Sequence, residues 1–262
     1  MSSNPTFDGL NKAKENMDNG KKIHLLIKFF SKKEHAEEFM DGNLYLNRLS
    51  FFMRIESPEN DGRNDQMEAL SQWVQPHDCK MTLKIPGLPD LNITGENLVS
   101  PFLLRRTGYK NLHLFCMYAM GIDESKFIDG KTDYSVRESE ILKEQLWIDE
   151  RCFDFGGYAV IVPVTQFMER LQIELSNLSF HHTYGQVSYF DESVFSGSFS
   201  EETIPFNKRD KYSYQNEFRV CIYTGTDDDE PRTISIGNIK DISALVKSSD
   251  LNTVFSDASL KI

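Results

Sequence analysis

The feature that most constrains this chain is the run Ile23–Phe30 (IHLLIKFF), apolar at almost every position and followed at once by turn chemistry. Eight residues of that kind read as a buried strand, which requires other elements to pack on it. Ser31 and Glu34 then have the spacing of a capping box, and a short helix is expected, with Ala36, Phe39 and Met40 inward. Gly42 stops it. Asn43–Asn47 alternates, with Leu44 and Leu46 on one face and Asn43, Tyr45 and Asn47 on the other, as in a half-buried strand. The opening unit is therefore strand, one short helix, strand.

The same reasoning extends along the chain. Tyr158–Val164 has the continuous apolar character of a sheet centre. Further strands are expected at Lys80–Ile85, Leu112–Ala119, Gly185–Phe190, Gln215–Tyr223 and Thr233–Ile236. Ser135-x-x-Glu138 is a second capping box, opening a helix to about Arg151. Thr165 is expected to cap a helix with Phe167, Leu171 and Leu175 at four-residue spacing. Asp65–Val74 also reads as helical. Pro and Gly mark 86–110 as an insertion or loops, and 192–206 is a Ser- and Glu-rich loop. The expected class is α+β, a mixed or antiparallel sheet with helices at its flanks. Residues 1–22 form a polar arm, and 23–262 a single domain.

Composition removes several function classes. Nineteen Phe and ten Tyr among 262 residues are too many for a disordered chain. No apolar run approaches the ~18 residues of a membrane helix. The first twenty residues carry no secretory signal, so a cytoplasmic protein without membrane partners is expected. Cys79, Cys116, Cys152 and Cys221 are scattered without a C-x-x-C pair, which fits reduced thiols rather than a zinc site. With 29 basic and 40 acidic residues the net charge is −11, unlike a general nucleic-acid binder. A local basic groove stays open, since Lys208, Arg209, Lys211 and Arg219 cluster. Glycine-rich nucleotide loops, the zincin helix and the hydrolase elbow are all missing from the sequence. No metal is expected: the adjacent His181 and His182 point to opposite faces of a strand.

The most informative segment is Lys208–Val220. On a strand, Phe218, Val220 and Ile222 share one face, while Gln215, Glu217 and Arg219 share the other at ~7 Å spacing. Glu is depleted in strands and rarely buried unpaired, so this polar row is either a site or a Glu217–Arg219 pair on a solvated sheet face. A second polar group lies early: Lys28 on the first strand, Tyr45 on the polar face of the second, and Arg63 in the loop Gly62–Glu68.

A basic residue on the first strand, a short helix ending in Gly, a second strand bearing Tyr and a late Gln-x-Glu entering a strand resemble the ADP-ribosyltransferase fold. The segment Lys208…Tyr212-Ser-Tyr214-Gln-Asn-Glu217-Phe-Arg219, after the strand Val187-Ser-Tyr189, also resembles the C-terminal signature of bacterial phage-defence toxins. The resemblance is specific at 23–68 and 185–223. It departs from the family in having Lys28 in place of the usual His or Arg, and in lacking Ser-Thr-Ser. It implies an ADP-ribosyltransferase that uses NAD as substrate and modifies a macromolecular acceptor, RNA or protein, with a cognate antitoxin among its partners. In that reading Glu217 steadies the oxocarbenium-like ribose. Gln215 orients the acceptor, Tyr45 packs on nicotinamide, Lys28 or Arg63 neutralises the diphosphate of NAD, and Arg219 is a further NAD-binding residue.

Two other classes stay open on the residues. One is a non-catalytic acidic interaction protein, such as a phage inhibitor or an antitoxin. The other is a metal-dependent nuclease, with Asp191 or Asp210 beside Glu217-Phe-Arg219. Arg in place of Lys weakens that motif, because Arg stays protonated.

Overall fold

A computed structural model of the chain describes residues 21–53, 62, 65–127, 135–226 and 230–257. The polar arm to residue 20 and Arg63 lie outside them. In chain order the elements are β1 Lys22–Phe30, α1 Lys33–Met40, β2 Asn43–Arg48, α2 Leu49–Phe52, β3 Leu70–Val74, β4 Lys80–Leu83, β5 Leu91–Thr94, β6 Phe102–Arg105 and β7 His113–Ile122. The second half contains α3 Val136–Gln145, β8 Tyr158–Pro163, α4 Val164–Asn177, β9 His181–Gln186, β10 Ser188–Phe190, β11 Gly197–Ser198, β12 Asn207–Arg209, β13 Glu217–Tyr223, β14 Arg232–Ser235, β15 Ala244–Lys247 and α5 Leu251–Asp257. The class is α+β, and every pairing in the eight-stranded main sheet is antiparallel.

Both faces of that sheet are covered, as the apolar β1 demands. Successive strand residues point to opposite sides, so Leu26 and Ile27, each fully buried, enter different cores. Leu26 packs with Ala36 and Phe39 of α1 and with Phe167, Leu171 and Leu175 of α4. Ile27 packs with Leu142 of α3 and with Leu251 and Phe255 of α5.

The central strand is β7, and its two edges behave differently. One edge pairs without a break to β13, from Glu217↔Tyr118 to Ile222↔His113. The other is shared: β1 pairs with its end, Lys22↔Ile122 to Ile27↔Tyr118, and β2 with its start, Asn47↔Leu114 and Arg48↔His113. Beyond Ile27, β1 leaves β7 and follows β8, with Lys28↔Val160, Phe29↔Ala159 and Phe30↔Tyr158. Phe115, Cys116 and Met117 therefore lack a ladder partner on that edge among the described residues, and the sheet forks there. Helix α1 bridges the two prongs. Phe39 fills the fork from one side, stacked on Phe115 with ring centres 5.7 Å apart and 5.6 Å from Phe30.

Several local expectations are corrected. Asp65–Val74 is not a helix: Ala69 takes a left-handed φ of 53°, which an L residue in a helix does not adopt, and Leu70–Val74 pairs with β6. The Ser31 box does not form; α1 starts from Lys32 with no side-chain cap, whereas the Ser135–Glu138 box forms as expected. Helix α3 ends at Gln145, short of Arg151, and α4 starts after Pro163, before Thr165. Gly185–Phe190 divides at Val187 into β9 and β10, which join different sheets. The 86–110 stretch contributes to two strand pairings, β4–β5 and β3–β6.

Candidate functional site

A cavity of about 580 Å³ occupies the fork. Its walls come from β1 (Lys28, Phe29, Phe30), β2 (Asn43, Tyr45, Asn47), α2 (Phe51, Phe52) and the unpaired stretch of β7. Its floor carries Glu68, Lys208, Gln215, Glu217 and Arg219. Lys28, Tyr45, Gln215, Glu217 and Arg219, read from two ends of the sequence, thus line one hollow. Aromatic walls with a few convergent polar groups are the usual make-up of a small-molecule site.

Glu217 begins β13, and the backbone reverses just before it. Asp210–Gln215 forms a 3-10 turn ended by Asn216 at a left-handed φ of 37°. Gln215 is therefore not on the strand, contrary to expectation, yet its side chain still reaches the floor. Val187 accompanies the turn, donating its N–H to the Glu217 carbonyl at 2.8 Å. Tyr189 Oη accepts the Glu217 N–H at 2.9 Å.

The floor is a closed ring of charges. Arg219 Nε donates to Glu217 Oε1 at 2.8 Å and Nη2 to Glu217 Oε2 at 3.0 Å, a two-pronged clamp. Nη2 also reaches Glu68 Oε1 at 3.0 Å, and Nη1 donates to the Pro205 carbonyl at 2.7 Å. Lys208 Nζ lies 3.1 Å from Glu68 Oε1 and 3.4 Å from Glu217 Oε2, and donates to Gln215 Oε1 at 2.7 Å. Two carboxylates and two cations therefore alternate, all of them buried. Such an arrangement survives burial only when each charge has partners.

This ring sets the protonation states. Burial pushes the Glu217 carboxyl up, but Arg219 and Lys208 overcome that and hold it well below the usual carboxylate range. Burial pushes Lys208 down, and Glu217 with Glu68 reverses it, so its ammonium is held above the ordinary value. Arg219 is raised by the same two carboxylates against the same burial. Cys116, beside Glu217 on the neighbouring strand, has its thiol pushed well up, first by burial and then by that carboxylate.

Each sequence-derived role meets a different outcome. Glu217 faces the cavity, but as a member of the ring rather than alone. Arg219 has its donors on Glu217, Glu68 and Pro205, which leaves it ill suited to hold an external phosphate. Gln215 has its amide nitrogen on the Gly62 carbonyl at 2.9 Å and its oxygen on Lys208, so it ties the floor to the Gly62 backbone. Lys28 spans the fork, donating to the unpaired Cys116 carbonyl at 2.6 Å and lying 4.5 Å from the Phe115 ring centre. Tyr45 stands on the rim, 58 % exposed. Lys208 belongs to the basic cluster and Glu68 ends the charged loop that the sequence shows, but neither is among the expected site residues. Both sit in charge-rich stretches, and nothing local pairs Glu68 with Arg219, 151 positions away, or Lys208 with Glu217, 9 positions away.

Asp191 and Asp210 are exposed and lie outside this floor. Among the described residues no group of three or more His, Cys, Asp or Glu is placed to hold a metal ion. No helix among them is long and apolar enough to cross a membrane. No family model, curated protein or solved structure matches the chain.

Proposed function

We propose that the fork cleft binds NAD and that the chain transfers ADP-ribose from it to a macromolecule, RNA or protein. One observation carries the reading: a buried carboxylate, held ionised, lies at the floor of an aromatic-walled cleft of about 580 Å³. Cleaving the bond between nicotinamide and ribose builds positive charge on the sugar, and a fixed anion at that point lowers the barrier. Glu217 fits that task. Because it stays ionised across the working pH range, it acts as an electrostatic stabiliser and not as a proton donor. Tyr45 on the rim offers a ring to the nicotinamide, and Lys28 brings a positive charge into the cleft for the diphosphate. The charged side chains around the cleft (Lys28, Lys208, Arg219 against Glu38, Glu68, Glu217) balance, which suits a ligand that itself carries both signs.

The test is release of free nicotinamide from NAD by the purified protein. Wild type should release it, Tyr45→Ala should slow release while keeping the wild-type melting temperature, and Glu217→Gln should abolish it when assayed well below its own, lowered, melting point. If millimolar NAD is neither consumed nor raises the melting temperature, the proposal is wrong.

A second reading has one specific observation in its favour: both Glu217 oxygens are already clamped by Arg219. A carboxylate so occupied suits a cleft that binds without reacting. In that case NAD or a related nucleotide raises the melting temperature and no nicotinamide appears.

A further inference from the structure

Strands β4 and β5 form a two-stranded hairpin of their own, with Lys80↔Thr94, Met81↔Ile93, Thr82↔Asn92 and Leu83↔Leu91 opposite one another. Side chains alternate along a strand, so these pairs sort onto two faces. Lys80, Thr82, Asn92 and Thr94 make a polar face, on which Thr82 Oγ1 donates to Asn92 Oδ1 at 2.8 Å. Met81, Leu83, Leu91 and Ile93 make an aliphatic one. The tip adds two more aliphatic residues. Ile85 to Leu88 is a tight turn, closed by the Leu88 N–H on the Ile85 carbonyl at 3.1 Å, with Pro86 and then Gly87 at a left-handed φ of 84°. Pro followed by a left-handed Gly is the type II pattern, so Ile85 and Leu88 are held close together on a stiff frame.

A strand pair with one aliphatic face is patterned to bury that face, and a lone hairpin is marginal until it does. Nothing among the described residues buries this one. Every residue from 82 to 92 is exposed, and Leu83, Ile85, Leu88 and Leu91 are between 43 % and 62 % exposed. None of those four belongs to any of the three apolar cores.

We propose that this aliphatic face docks on the same face of a second copy of the chain, about a two-fold axis. Area is the first reason. The four side chains offer on the order of 350 Å² of apolar surface, the size of patch that marks an interaction site on a monomer. Apolar surface makes up a little over half of an interface, so two such patches imply ~1,200 Å² in all, the lower bound of specific association. Charge is the second reason. The face itself is uncharged, and Lys84 and Asp90, flanking the turn, lie 4.0 Å apart, so a two-fold copy brings no excess of either sign to the margin. Charge also argues against other occupants. Residues 80–94 hold two Lys against one Asp in a chain of net −11, whereas anionic lipid and nucleic acid both select a basic surplus. The same stretch has no aromatic ring to anchor in a bilayer interface or to stack on a base. A two-fold contact is closed at two chains. None of these residues lines the fork cleft, so the inference stands whatever chemistry the cleft performs.

Sedimentation of the full chain from low to high micromolar concentration should show a monomer–dimer equilibrium. Leu83→Asp and, separately, Leu88→Ser, both at exposed positions, should weaken it about tenfold or more, as for loss of an interface anchor. Their melting temperatures in dilute solution should match wild type. Leu83→Cys should join two chains through a thiol cross-linker spanning ~10 Å, the spacing of packed sheets. Thr82→Cys, on the polar face, should cross-link no more than wild type. A chain that stays monomeric throughout overturns the inference. So does a dimer that both Leu83→Asp and Leu88→Ser leave intact, or equal cross-linking of the two cysteine variants. A monomer that floats with phosphatidylserine vesicles overturns it too and gives the face to lipid.

Discussion

The floor and the rim of the fork cleft are built on opposite terms. On the floor, Glu68, Lys208, Glu217 and Arg219 are withdrawn from water and spend their charges on one another. On the rim, Tyr45 is mostly exposed on β2 and packs little. A buried ring of charge cannot lose a member without leaving another uncompensated, so the floor is coupled to stability. The rim can change without disturbing the fold. A site that needs fixed electrostatics and adjustable contacts can keep them in separate places, and this cleft does.

The largest effect is expected from Arg219→Met, which leaves two buried carboxylates against one lysine. It should cost ~3–5 kcal/mol, read from urea unfolding. A loss below ~1 kcal/mol would mean that water reaches the floor and that floor and rim do not differ. Phe39→Ala should cost a similar ~3–5 kcal/mol by emptying the fork between Phe30, Phe115 and Phe167. Glu217→Gln keeps the shape and removes one charge. It should cost somewhat less, ~2–4 kcal/mol.

The pH dependence sharpens the contrast. The Glu217 carboxyl is depressed in the folded state, so the stability it contributes is present above its unfolded value of ~4.3 and is lost as pH falls toward its folded value. Lys208 is raised, so its contribution is present below ~10.4 and is lost as pH rises beyond that. The stability that these two groups contribute should therefore be constant between those limits and be lost on both sides. In Glu217→Gln the acid limb should be shallower; an identical limb would take Glu217 out of the ring.

Smaller effects belong to the rim and the surface. Tyr45→Ala should change stability by less than ~0.5 kcal/mol while weakening nucleotide binding several-fold in calorimetry. Coupled loss of both would show that the rim is structural after all. Smallest is Arg170→Ala, which removes an ion pair with Asp241 whose partners are 29 % and 63 % exposed. It should cost ~0–1 kcal/mol, and less at high salt.

Much of this was legible in the residues. The strand–helix–strand opening holds, with Ala36, Phe39, Leu44 and Leu46 buried and Tyr45 out. So do the Ser135–Glu138 cap and the Phe167, Leu171, Leu175 stripe. Each rests on a short-range period. The misreading at Asp65–Val74 has a physical cause: Met67, Leu70 and Val74 have helical spacing, but pairing with Phe102–Arg105 across the insertion outweighs that propensity. The strand β15 and helix α5 carry no pattern strong enough to stand without their packing against β8 and the second core.

What the sequence determined by itself is local: which stretches must be buried, on which faces, and that Glu217 and Arg219 share a side. Only the tertiary structure decided that β1 and β2 share one edge of β7 and leave a hollow between them. It alone also brought Glu68 to Arg219 across 151 positions to close the ring of charge. The reason is range. Periodicity reports how a residue relates to neighbours a few places away, whereas the partner of a buried charge is selected by whichever distant strand the completed sheet places beside it.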